Sequence, residues 1–409
     1  MTADLERELI DWLVAAGLGS PDEQTLLDGF CGRLNEAGFG ISRAYIASEI
    51  LHPLHDARGF VWQATGSARE DYAHDAGPQR RADWRQSPLF YIVDNGLPQL
   101  RLRLDDSLEP ERFPLLERLR GEGGTDYLAL ARRFGRGRAF GDFDGIVSSW
   151  TTRRPGGFDD TQIRLLERCM APLSLGFKTI STLDTGRTLM RTYLGHDAGA
   201  RVIAGDIRRG EAQSIETVLW ASDLRGFTRL ADTVEATVLM GLLNSYAEEL
   251  VRAVEAHGGD VLKFMGDGIL AVFPESPAGG QCGRALEAAL LARERVGALS
   301  RTRAAAGLPV TDFCLGLHRG TVLYGNIGSP ERLDFTVIGP AVNEVARLEQ
   351  MCRSLEQPVV ASSAFADACG AERRHLVSLG RYALKGVGRA QELFTIDPEW
   401  RDAAFDPRA

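Results

Sequence analysis

The chain lacks any apolar run long enough to span a bilayer, so a transmembrane helix is not expected. It also lacks the basic-then-apolar order of a signal peptide: the first residues, MTADLERELIDWL, are acidic and amphipathic. Positive charge is not in excess. Lys and Arg number 47 against 56 Asp and Glu, and the net charge of −9 argues against a general nucleic-acid binder. The six cysteines (Cys31, Cys169, Cys282, Cys314, Cys352, Cys369) form no CxxC pair and read as reduced thiols filling helices and cores. Histidines are few. His52 and His55 have metal-ligand spacing for a helix, but Pro53 argues against a helix there, so no metal is assigned to them. Together these absences predict a cytoplasmic protein with neither membrane nor nucleic acid as a partner.

With 409 residues, 44% hydrophobic and 25% charged, the chain is of globular composition and too long for one ordinary core. In the first half, Leu5, Ile10, Leu13 and Val14 make an apolar helical stripe, and Pro21 is expected to open a second helix. Strands are predicted at 44–50, 127–131 and 145–151, whereas 56–99, rich in Trp, Arg, Pro and Asp, reads as loops and short elements. Asp159 and Asp160 are placed to cap a long helix carrying Ile163, Leu166 and Met170. A Gly-rich, basic stretch at 195–210 reads as connector, with Arg208 and Arg209 on a solvated face.

The second half is organised around GGDVLKFMGDGILAVF at 258–273. Two apolar runs flank Gly266-Asp267-Gly268, a hairpin-turn signal that leaves a carboxylate at an open tip. Asp223 ends another apolar strand, 216–222. Facing carboxylates repel unless a cation lies between them, and all-oxygen ligation suits Mg²⁺ or Mn²⁺. Asn343 and Arg347, four apart on a predicted helix at 341–352, share a face, which pairs an amide with a fixed positive charge. Lys385 adds a cation in a glycine-flanked loop. The order strand, helix, hairpin, helix, strands, helix, strands predicts an α+β sandwich.

Residues from about Glu216 to Ile396 resemble a class III nucleotidyl cyclase catalytic domain through five ordered motifs: ASDLRGFT, GGDVLKFMGDGILAVF, GLHRGTVLYGNIGS, FTVIGPAVNEVARLE and LKGVG. The resemblance implies a ferredoxin-like α+β fold and two Mg²⁺ or Mn²⁺ ions per site. It makes Asp223 and Asp267 the metal-binding aspartates, includes Leu224 in the metal set, and makes Phe227 and Thr228 substrate-binding residues. It assigns ribose and transition state to Asn343 and Arg347, the triphosphate to Lys385, and the base to Lys263 and Thr336. In adenylate cyclases the lysine's partner is often Asp, replaced by Thr in one bacterial and mammalian soluble branch, whereas guanylate cyclases commonly use Glu and Cys. Lys263 can donate to N1 of adenine and Thr336 can accept from its 6-amino group, which favours ATP. Pro340-Ala341 departs from the family's frequent Asp-Thr; Pro suits a first helical turn.

In this family the aspartates and the remaining site residues come from different subunits, so a head-to-tail homodimer is implied. The passage GIVSSWTTRRPGGFDDTQIRLLERCMAPLSLGF resembles the end of a GAF domain. That implies a sensor domain with a possible small-molecule ligand, for which Trp62, Trp84, Phe90, Tyr91 and Trp150 are candidate lining residues. The expected plan is a GAF-like domain at 1–178, a helical connector at 179–215 and the cyclase domain at 216–409. The expected activity is ATP to 3′,5′-cyclic AMP and pyrophosphate, regulated by the first domain. A cyclase for GTP or a pyrimidine triphosphate, or a silent nucleotide-binding scaffold, are the alternatives.

Overall fold

A computed structural model describes residues 3–74, 77–104, 113–135, 144–275, 280–384 and 390–403. The chain divides into two compact units, Met1–Leu189 and Met190–Ala409.

The first unit begins with α1 (Ala3–Gly19) and α2 (Glu23–Glu36). Pro21 does not open α2. Asp22 is its cap, accepting from the Thr25 N–H at 2.7 Å, because a carboxylate satisfies an otherwise orphaned donor at the positive end of the helix. Then follow β1 (Ile41–Glu49), β2 (His55–Gln63), β3 (Gly66–Ala73), α3 (Pro78–Arg85), α4 (Pro88–Asp94) and β4 (Gln99–Arg103). The unit is completed by α5 (Pro114–Gly121), β5 (Asp126–Arg133), β6 (Gly145–Thr152) and α6 (Asp160–Leu194). The strands form one antiparallel sheet in the order β3-β2-β1-β6-β5-β4.

The stretch 56–99 is thus more regular than its composition predicts. β3 is an edge strand carrying Arg69, Glu70 and Asp71, and Arg58 of β2 sits opposite Asp71 and pairs with it at 2.9 Å. Charges placed on an edge conceal a strand's apolar alternation. Asp159 does cap α6, accepting from the N–H groups of Thr161 and Gln162 at 2.9 Å each.

Alternation along the strands gives the sheet two buried faces. Ala44, Ile46, Leu128, Leu130, Ile146 and Trp150 pack against α1, α2 and α6. Ala47, Tyr127, Ala129 and Val147 pack against α4 and α5. The five candidate aromatics therefore do not line one pocket. Trp150 and Trp62 belong to the first face, Tyr91 belongs to the second, and Trp84 meets Phe90 edge-on at 5.9 Å. His52 and His55 turn their rings to each other, Nδ1 to Nδ1 at 3.0 Å.

The second unit contains α7 (His196–Ala204), β7 (Ala212–Leu224), α8 (Phe227–Thr233), α9 (Ala236–Ala256), β8 (Asp260–Met265), β9 (Gly268–Pro274) and α10 (Gln281–Ala305). Next come β10 (Phe313–Gly328), β11 (Leu333–Ile338), α11 (Pro340–Ser354), β12 (Val359–Ser362), α12 (Ser363–Ala368), β13 (Leu376–Tyr382), β14 (Gln391–Ile396) and α13 (Pro398–Ala403). Part of the Gly-rich stretch 195–210 is helical. It holds α7, whose first N–H groups, on His196 and Asp197, donate to the Asp260 carboxylate, while Ala198 is buried beside Leu262. β13, at Leu376–Tyr382, pairs with β14.

The eight strands run in the order β13-β14-β12-β10-β7-β9-β8, with β11 paired to β10, and only the β10–β12 pairing is parallel among the described residues. β7 is buried on both faces. Val218, Trp220 and Leu224 face α9, α10 and α12, whereas Leu219 and Ala221 join α7 and α11 on the opposite side. A strand sandwiched in this way reads as a continuous apolar run. α11 lies close on β10 because Gly316 has no side chain: a Cβ there would stand 2.6 Å from the Val345 carbonyl oxygen and 2.7 Å from the Glu349 nitrogen.

Gly316→Ala should therefore push α11 off the sheet and lower stability by about 1–3 kcal/mol, as overpacking does. Urea unfolding of the variant beside the parent would measure this, and an unchanged midpoint would show that α11 can yield without cost.

Candidate active site

The two aspartates singled out in the sequence are brought together by strand pairing. Asp223 is the penultimate residue of β7, where it sits opposite Cys314 of β10. On the other side of β7, β9 pairs Ile269 with Ser222, so the tip of the β8–β9 hairpin comes beside Asp223. Two glycines shape that tip. Gly266 has φ +69°, a backbone conformation open to glycine, at the first position of the two-residue turn. Gly268 has no room for a Cβ, which would fall 2.9 Å from the Ser222 carbonyl oxygen.

Asp223 is pushed up from 3.8 to about 6, first by burial and then by the neighbouring Asp267 carboxylate, while the Arg353 guanidinium opposes the shift. Arg353, on the last turn of α11, donates from Nη2 to Asp223 Oδ2 at 2.8 Å. A third carboxyl joins them: Glu349, one turn earlier on α11, is raised to about 7 by burial, followed by the charge of Asp223. Its Oε1 is buried and finds no hydrogen-bond partner. Three carboxyls with one guanidinium make a site short of positive charge, so the donor set fits a divalent cation held by Asp223 and Asp267. Leu224 is buried in the core with 1% exposure, so only its carbonyl oxygen is suited to a metal.

The other predicted residues lie apart from the aspartate pair or form separate groups. Lys263 of β8 donates from Nζ to Asp334 Oδ2 at 2.6 Å. Two residues beyond Asp334 on β11, Thr336 is buried and its hydroxyl has no hydrogen-bond partner. Asn343 is exposed on the first turn of α11. Arg347 donates to Gln350 Oε1 at 2.9 Å and not to either aspartate. Phe227 packs partly against the core and Thr228 is exposed at the start of α8. Lys385 lies outside the described residues.

Glu349, Arg353 and Asp334 were not singled out in the sequence. A faint signal was present: Glu349 and Arg353 are four apart, next to the buried stripe Val345, Leu348, Cys352. The expected helix ended at Cys352, one residue short of Arg353.

Residues 211–397 match the family described as adenylate and guanylate cyclase catalytic domain. This segment is a class III nucleotidyl cyclase catalytic domain. Among curated relatives, an adenylate cyclase of Anabaena cylindrica is 32% identical over 152 residues, which is 36% of this chain and 30% of the relative. Adenylate cyclase 1 of Rhizobium meliloti is 29% identical over 182 residues, 44% of this chain and 27% of the relative. The cyclase match thus spans about a third or less of those two proteins. A solved adenylyl cyclase of P. aeruginosa is 27% identical and superposes with TM-score 0.42 over 46% of this chain and 95% of that one. No helix among the described residues is long and apolar enough to cross a membrane.

The raised Asp223 has a thermodynamic consequence for the cyclase domain without metal. Its folded value of about 6 exceeds the ordinary 3.8, so its contribution is fully favourable below about pH 3.8 and is lost as pH rises through 6. Asp223→Asn should therefore stabilise the metal-free protein at pH 7–8 by about 1 kcal/mol after solvent screening. The gain should vanish below about pH 4. Melting temperature against pH for parent and variant, in the presence of a chelator, tests this; a variant less stable at pH 8 would refute it.

Proposed function

We propose that the second unit is an adenylate cyclase, converting ATP to 3′,5′-cyclic AMP and pyrophosphate. The observation that carries this reading is the convergence of Asp223 and Asp267 at a half-buried point that one guanidinium only partly neutralises. The two carboxylates would hold Mg²⁺ or Mn²⁺, which when bound supplies positive charge for the triphosphate and for the attacking oxygen. The ribose 3′-oxygen attacks the α-phosphorus, a new P–O bond closes the ring, and the bond to the β-phosphate oxygen breaks to release pyrophosphate. Asn343 orients the ribose, and Arg347 meets the charge that develops on the phosphorus oxygens. Lys385 binds the departing phosphates. Phe227 and Thr228, at the start of α8, lie next in sequence to the aspartate strand and contact the nucleotide.

Base choice rests on Lys263 and Thr336. The Thr336 hydroxyl is buried without a partner, the condition of an acceptor kept for a ligand. It takes the 6-amino proton of adenine, while Lys263 donates to N1 once it is released from Asp334. Guanine presents an N1–H instead, which would leave the lysine facing a donor.

Arg347 bonds within α11 and does not reach the aspartates of its own chain, which supports a head-to-tail homodimer. In such a dimer each site takes Asp223 and Asp267 from one subunit and the base, ribose and phosphate residues from its partner. The first unit, a small-molecule sensor, sets the geometry between the subunits, and a slight shift there would separate metal from Arg347.

Product analysis with each of the four nucleoside triphosphates and Mn²⁺ tests the substrate: cyclic AMP from the parent and none from Asp267→Ala is the expected outcome. A different cyclic nucleotide would overturn the reading of Lys263 and Thr336. Mixing inactive Asp267→Ala with inactive Arg347→Ala tests the dimer. Random exchange makes half the dimers mixed, each with one intact site, so activity should return to about one quarter of the parental rate. No recovery in mixtures shown to exchange subunits would exclude shared sites.

A further inference from the structure

Arg353 brings a positive charge to the aspartates from within the same chain. It is the penultimate residue of α11 and donates from Nη2 to Asp223 Oδ2 at 2.8 Å. The contact is a loose one. The Arg353 side chain is 58% exposed, against 29% for Asp223, and one nitrogen donates to one oxygen. An exposed, one-pronged pair of this kind contributes about 1 kcal/mol at most. A lasting clamp in the same chain looks different: the Arg58 side chain is 5% exposed and holds Asp71 at 2.9 Å and Asp184 at 2.7 Å together.

A second acceptor stands within reach of the same guanidinium. Glu349 lies four residues before Arg353 on α11, so the two share a helix face with the acid N-terminal to the base. That is the favourable order for a pair at this spacing. Glu349 Oε1 is buried and takes part in no hydrogen bond. Arg353 already favours the charged form of both Asp223 and Glu349, and Glu349 in turn feels the charges of Asp223 and Asp267. One guanidinium is thus shared among carboxyls that it cannot all satisfy.

Charge balance at the site calls for the arginine and a metal ion together. Asp223, Asp267 and Glu349, when ionised, carry three negative charges, and Arg353 returns one. One divalent ion beside the guanidinium brings the group to neutrality. A divalent ion on Asp223 repels a guanidinium held by the same carboxylate, and the guanidinium is the more weakly tied of the two.

We propose that Arg353 is a positioning residue for the metal: it competes with the divalent cation for Asp223 and, when it yields, is received by Glu349. Metal loading is then the exchange of one cation for another. Arg353 lowers the affinity of the aspartates for the ion, and Glu349 restores part of it by taking up the displaced guanidinium. This role rests on the reading of Asp223 and Asp267 as metal ligands, and it adds two residues of α11 that act on the ion through Asp223.

The test is titration of the full chain with Mn²⁺, without nucleotide, reading free Mn²⁺ by electron paramagnetic resonance. The Mn²⁺ bound by the parent should be lost in Asp267→Ala. Arg353→Gln should bind Mn²⁺ about two- to fivefold more tightly than the parent, because the ion no longer displaces a guanidinium. Damage to the fold does not tighten a site, so a purely structural Arg353 would not produce this gain. Glu349→Gln should weaken binding in the parent, and by clearly less in the Arg353→Gln background, where nothing is left for it to receive. Arg353→Met repeats the test should Arg353→Gln not fold. Binding that Asp267→Ala removes but Arg353→Gln leaves unchanged or weakens would overturn the exchange while the metal reading stands. Equal weakening by Glu349→Gln in both backgrounds would also overturn it, since Glu349 would then act on the ion directly. Mn²⁺ binding absent from the parent, or retained in Asp267→Ala, would overturn the metal reading and the exchange with it.

Discussion

Two carboxylates held close in a half-buried site repel, and the second unit is built so that they cannot move apart. Asp223 is fixed by the thirteen-residue pairing of β7 with β10, and Asp267 by the β8–β9 hairpin laid along the other edge of β7. Gly268 removes the one Cβ that would hold the hairpin tip away. The resulting electrostatic deficit explains why Asp223 is raised to about 6 and why Arg353 reaches across from α11 to pair with it. A cation supplied by the protein itself marks the place where a stronger one would be favoured.

α11 is the element through which most of the remaining chemistry is placed. Its contact with β10 through Gly316 sets the helix height above the sheet, and its successive turns present Asn343, Arg347, Glu349 and Arg353. Pro340 begins it, where a missing N–H costs nothing, and Val345, Leu348 and Cys352 bury one stripe. Glu349 and Arg353 flank that stripe and turn to Asp223, whereas Asn343 and Arg347 serve a different direction. One helix therefore carries a set of groups that belongs to its own aspartates and a set that does not reach them.

The two units treat buried polarity in different ways. In the cyclase unit the charged groups at the site compensate one another in part, through Arg353 with Asp223 and Lys263 with Asp334. In the first unit Asp126, fully buried, is satisfied by Arg101 at 2.8 Å and by the Phe158 N–H at 2.9 Å. On the same sheet the Thr151 hydroxyl is buried without a hydrogen-bond partner.

Much of this was legible in the chain because local patterns report local structure. Glycine and aspartate at 266–268 mark the hairpin, the apolar run before Asp223 marks a strand buried on both faces, and Asn343 with Arg347 fall on one helical face by spacing alone. Ordered motifs around these residues carried the family, and with it the fold of residues 211–397. What the chain could not display was anything that depends on contact across strands or between helix and sheet. The hairpin of β2 and β3 was hidden because its charges are neutralised by cross-strand pairing. Arg353 and Glu349 gained meaning only when α11 settled on Gly316 and brought them, some 130 positions downstream, beside Asp223. Residue type and spacing decided which groups are present, and strand pairing decided which of them share a face, since contact energies between distant residues exist only once the chain is folded.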